Sequence, residues 1–171
     1  MGKLVNSAVV GGVIFFVWSS ISWMALPFHA KTLKTFSNEA AIAQTMSAGA
    51  NGSGVYLLPK MSKNAPAIKS SFVFLVYNQD GYGNMGMRMF LGLLEDILTA
   101  LVLTWLLSKS GISSFNGRVG FISGLAIFAG LAAHLTNSVW WGHSLAFTIL
   151  EMADLLVGWT LAGLAMAKFS S

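Results

Sequence analysis

The chain has 171 residues, 55% of them hydrophobic and only 9% charged, and it contains no cysteine. A soluble domain carries about 25% charged residues, so this composition excludes an ordinary water-soluble fold, and the missing thiols exclude disulfides, thiolate metal centres and cysteine nucleophiles. The formal charge of +4 comes from ten Lys and Arg, but they stand at segment ends rather than in a stripe, so nucleic acid is not an expected partner.

The first apolar segment, about residues 4–28, follows Lys3 and closes at Pro27-Phe28. It is too long and too rich in Trp for a cleaved signal peptide and reads as a retained anchor. Residues 29–84 differ in composition, with five lysines, two further prolines and a Gly/Ser cluster at Ala48–Gly54. Ser37 is the expected N-cap of one short amphipathic helix ending near Gly49. Val55–Leu58 and Phe72–Tyr77 are rich in β-branched and aromatic residues between turn signals, as in a hairpin or edge pair. Three more apolar segments follow at about 85–107, 119–140 and 145–168, each near the roughly 20 residues that span a bilayer. The expected fold is an all-α membrane protein: four transmembrane helices with a small extramembrane α+β insertion between the first and second, residues 29–84. Lys3, Lys109, Arg118 and Lys168 fall on one side of that arrangement, which puts both termini in the cytoplasm and the insertion outside; the insertion's lysines argue the opposite way.

Four of the six carboxylates, Glu95, Asp96, Glu151 and Asp154, sit inside apolar spans. An acidic residue at a helix centre costs roughly 2.5–3.5 kcal/mol on insertion scales, so these groups require partners, protons or a ligand. Glu95, Asp96 and Asp154 fall roughly 15 Å from the insertion side at 1.5 Å per residue, with Glu151 a turn shallower. Glu151 and Asp154 share a face at i, i+3, and Arg88 lies two turns before Glu95 on its face. His134 and Asn137 share a face of the third helix, and Ser19 and Ser22 one of the first, beside Trp18 and Trp23.

Three readings of these residues compete. In one, Arg88, His134, Asn137 and the serines neutralise the acids and lock the bundle. In another, Glu95, Glu151, Asp154 and His134 ligate a metal or carry protons, although the Glu-x-x-His spacing of carboxylate-bridged di-metal bundles is absent. In the third, acids and tryptophans line a pocket for a lipid, a quinone or another amphiphile. The sequence lacks nucleotide loops, nucleophile elbows, zinc-protease motifs and haem-attachment signatures. A serine in a membrane helix more often bonds its own helix carbonyl than acts beside a histidine. Trp140, Trp141 and His143 read as an interfacial belt. Gly120-x-x-x-Gly124, Gly158 and Gly163 read as close-packing positions within or between chains.

The strings Phe16-Val17-Trp18-Ser19-Ser20-Ile21-Ser22-Trp23, Pro27-Phe28-His29, Gly54-Val55-Tyr56-Leu57-Leu58-Pro59, Phe74-Leu75-Val76-Tyr77 and Gly158-Trp159-Thr160-Leu161-Ala162-Gly163 resemble a group of small bacterial inner-membrane proteins of uncharacterised function. The resemblance implies a bacterial inner membrane with the insertion on the periplasmic side. It implies no activity, no cofactor and no catalytic residue. The expected function is therefore a non-enzymatic accessory subunit or interaction module of a membrane assembly, contacting lipids and a protein partner or further copies of itself. The alternatives are a lipid-, quinone- or metal-binding protein and a component of a proton or ion pathway.

Overall fold

A computed structural model describes residues 2–59 and 71–169. Three insertion lysines, Lys60, Lys63 and Lys69, and Pro66 lie outside the described residues. In chain order the elements are α1 (Gly2–Met24), α2 (Phe28–Thr32), α3 (Glu39–Gly49), β1 (Gly54–Leu58), β2 (Val73–Tyr77), α4 (Met85–Lys109), α5 (Phe115–Ala129), a π-helical stretch (Gly130–Leu135), α6 (Thr136–Trp141) and α7 (Leu145–Phe169). By length and composition four helices can cross a membrane, α1, α4, the continuous run Phe115–Trp141, and α7, which makes this a multi-pass membrane protein.

The chain divides into two compact units, Met1–Leu33 with Gly86–Ser171, and Lys34–Met85. The division thus falls at Lys34 rather than at His29, because α2 belongs to the helical unit. Pro27 has no N–H to continue α1 and stands at the N-cap of α2. The chain turns there and returns one short helix to the bundle.

Within the helical unit α7 is the centre, packed against α1 on one flank and against α5 and the π-helical stretch on another. Among the described residues the core comprises Ala8, Ala100, Leu107, Ile122, Ala126, Trp159, Ala162 and Met166, half of them alanines. Without a hydrophobic drive between helices in lipid, close van der Waals approach holds such bundles together. Gly12 permits one such approach, since a Cβ there would lie 2.5 Å from the Ile97 Cα of α4. Gly158 permits another, where the Phe15 and Trp18 rings would each lie 2.7 Å from an added Cβ. Phe15 stacks on Trp159 with ring centroids 4.3 Å apart. Gly120 and Gly124, by contrast, have nothing within 4 Å of an added Cβ, so the strict GxxxG face packs against no neighbour among the described residues.

Helix ends are set by local chemistry. α5 begins earlier than expected, because the Ser114 side chain caps it by accepting from the Gly117 N–H. The Phe115–Trp141 run ends at Gly142, whose positive φ of 75° lets its N–H return to the Asn137 carbonyl. Asn137 is therefore helical, as expected.

In the other unit, the cap of α3 is Asn38 rather than Ser37, its side chain accepting from the Ala41 N–H at 3.1 Å. β1 and β2 pair antiparallel, from Gly54 opposite Tyr77 to Leu58 opposite Val73. Tyr56 and Tyr77 meet edge to face on this ribbon.

Candidate functional site

Four elements of the helical unit bring polar side chains to one place. On α7, Thr148, Glu151 and Asp154 recur every three residues and so form a line along one face. On α1, Trp18 and Ser22 stand one turn apart, Trp18 reaching Asp154 on α7 and Ser22 reaching His29 on α2. The short α2 supplies His29, and the π-helical stretch supplies His134. A π-turn adds a residue to the helical repeat and re-aims the side chains beyond it, a device frequent at functional sites.

His29 is the hub. It is 1% exposed, and both ring nitrogens face carboxylates: Nδ1 lies 3.4 Å from Glu151 Oε1 and Nε2 lies 3.2 Å from Asp154 Oδ2. Ser22 Oγ is also 3.2 Å from Nε2. The second oxygen of Asp154 accepts from the Trp18 indole N–H at 2.8 Å. The second oxygen of Glu151 lies 3.7 Å from His134 Nδ1. The result is a continuous run from His134 through Glu151, His29 and Asp154 to Trp18. Trp23 covers it, stacked on the His29 ring at 3.9 Å and 14°.

One contact in this run is close in distance but poorly directed. His29 Nδ1, Glu151 Oε1 and Thr148 Oγ1 are buried and make no well-formed hydrogen bond, although the first two are within ion-pair distance of each other. If Nε2–H donates to Asp154, the Nδ1 lone pair faces a Glu151 oxygen. That approach is attractive only when a proton sits on one of the two atoms. The geometry therefore leaves an imidazole nitrogen and a carboxyl oxygen 3.4 Å apart, without a directed hydrogen bond, inside an apolar bundle.

The other acidic pair does not join this run. Glu95 is on the exposed face of α4 and Asp96 is half-buried. Among the described residues no hydrogen bond or ion pair links either to the cluster, so Glu95 does not complete the metal set with Glu151, Asp154 and His134. No three His, Asp or Glu side chains among the described residues are grouped to hold one ion. Arg88 is exposed in the first turns of α4. Ser19 donates to the Phe16 carbonyl of its own helix at 3.0 Å. Asn137 contributes its backbone carbonyl to the α6–α7 turn.

His29 and Thr148 were absent from the sequence-derived site. His29 lies beyond Pro27 and reads as the start of the insertion. The available signal was the proline itself, which turns the chain seven residues before Lys34 and so returns the next short helix to the level of the span just left. Comparison with known protein families, characterised proteins and solved structures finds no match for this chain.

Proposed function

We propose that this protein is a proton-handling component of a membrane assembly, in which His29 exchanges protons between Glu151 and Asp154 from within the bundle. The observation that carries this reading is the single buried imidazole with a carboxylate at each nitrogen, at 3.4 and 3.2 Å. Histidine is the side chain whose charge ordinarily changes between pH 5 and 8, and its two nitrogens allow a proton to arrive on one and leave from the other. In such a step Glu151 gives its proton to Nδ1 while Nε2 releases one to Asp154, so charge moves along the run with no net gain of protons by the ring. Trp18 and Ser22 hold the acceptor end, and Trp23 restricts ring rotation.

Infrared difference spectra recorded between pH 5 and 8 in nanodiscs test this. A carboxyl and an imidazole signal should change together, and both should disappear in His29→Gln while helicity is retained. A wild-type spectrum without either signal would sink the proposal.

The assembly part of the reading rests on a different observation. Glu95 is exposed on a membrane-spanning face among Leu91, Leu94 and Leu98, themselves 41–62% exposed. A carboxyl against lipid at that depth costs roughly 2.5–3.5 kcal/mol, whereas a facing helix with a donor relieves it. The chain has no cysteine, so Leu98→Cys introduces a unique thiol one turn from Glu95. Oxidation in native membranes should give a discrete cross-linked species, and a chain that stays monomeric would refute the assembly. The bacterial inner membrane, cytoplasmic termini and a periplasmic insertion complete this proposal, in keeping with the basic residues at the opposite helix ends.

A further inference from the structure

At the other end of the helical unit, the start of α1, the end of α4 and the start of α5 enclose a cavity of about 290 Å³ that the proton-handling residues do not use. Lys3, Thr104, Ser108 and Arg118 give it a polar wall, and Leu4 and Leu107 an apolar one. Arg118 is held in place: its Nε donates to the Ile112 carbonyl and one terminal nitrogen to the Ala167 carbonyl, each at 3.1 Å. A guanidinium has five N–H donors, so these two bonds fix its plane and leave its other terminal nitrogen uncommitted among the described residues. Lys109 ends α4 and Lys168 lies in the last turn of α7, which adds two more cations at the same end.

A second cavity, of about 350 Å³, shares Leu4 with the first and is lined otherwise by Leu101, Val102 and Trp105. It is almost wholly apolar. Leu101 stands six residues before Leu107 on α4, which at 1.5 Å per residue is roughly 9 Å further into the span. A cationic chamber at the helix ends thus adjoins, at Leu4, an apolar groove running toward the bilayer interior. That sequence of chemistries matches an anionic phospholipid, with its phosphate and headgroup at Arg118 and Lys3 and an acyl chain along Leu101 and Trp105. We propose that this site binds one anionic phospholipid. Basic pockets between membrane helices are suited to such headgroups, and each cation near the surface contributes about fivefold in affinity.

The test is native mass spectrometry of the full chain, delipidated and titrated with phosphatidylglycerol, with phosphatidylcholine, or with inorganic phosphate. One phosphatidylglycerol should bind with at least about fivefold preference over phosphatidylcholine. Lys3→Gln should remove about fivefold of that preference. Val102→Trp, which fills the groove without touching the cations, should weaken both lipids. Arg118→Gln is a poorer probe because it also releases two backbone carbonyls, whereas Lys3 is exposed. Equal binding of the two lipids, or an unchanged preference in Lys3→Gln, would overturn the proposal. Displacement of the lipid by millimolar phosphate with no effect of Val102→Trp would overturn it too, by making the site one for a free anion.

Discussion

The acidic pairs on α7 and α4 look alike in sequence and end in opposite surroundings. Glu151 and Asp154 are three residues apart, so both carboxyls leave α7 on one face, and there they meet His29. Glu95 and Asp96 are adjacent, so their side chains diverge by about 100° around α4, and one is exposed while the other is half-buried. Spacing decided which acids could share a partner. The α7 pair is held by groups from α1, α2 and the π-helical stretch, whereas α4 turns the face near Asp96 toward α1 through Ile97 and Ala100.

The contrast is most severely tested by removing the acid whose carboxylate has a hydrogen-bond partner at each oxygen. Asp154→Leu leaves the Trp18 indole and the His29 Nε2 without their acceptor, and breaking a buried pair in this way costs about 3–5 kcal/mol. Unfolding in mixed micelles should show a loss of that size. A change below about 1 kcal/mol would mean that the run from His134 to Trp18 does not hold the bundle.

Next in size is the approach of α1 to α4. Gly12→Val should cost about 1–3 kcal/mol through overpacking, because the Ile97 backbone lies against the position. Gly120→Val, on the open face of α5, should leave the monomer's unfolding curve unmoved in the same assay. If Gly120→Val is the more damaging, the GxxxG face is occupied in the native assembly.

The smallest effect on the isolated chain belongs to α4. Glu95→Leu should change monomer stability by less than about 0.5 kcal/mol, as for an exposed side chain away from special contacts. In native membranes the same variant should lose the cross-linked species formed by Leu98→Cys. A large destabilisation of the monomer by Glu95→Leu would show that α4 turns its Glu95 face into the bundle rather than away from it.

Much of the architecture was legible in residue order because it depends on local chemistry. Apolar runs of membrane-spanning length marked the four long helices, and the β-branched runs between turn signals marked two strands, which pair over Gly54–Leu58 and Val73–Tyr77 as an antiparallel ribbon. Errors of detail came from competing local signals. Asn38 displaced Ser37 as a cap because its carboxamide oxygen reaches the Ala41 N–H. Ser114 started α5 before the apolar run began. The π-helical stretch at Gly130–Leu135 left no trace in the apolar pattern, since it changes hydrogen-bond spacing rather than composition.

By itself the sequence determined that this is a membrane-spanning chain, where its long helices lie, and that Glu151 and Asp154 share a face. All of these follow from composition and from the helical repeat. Only the tertiary structure decided that His29 stands between those acids, that Glu95 is exposed, and that Lys3 and Arg118 border one cavity. Those outcomes depend on how α1, α2, α4 and α7 are rotated about their axes. That rotation is set by close approaches such as Gly12 on Ile97 and Gly158 on Trp18, which join residues far apart in the chain and so leave no periodic mark in it.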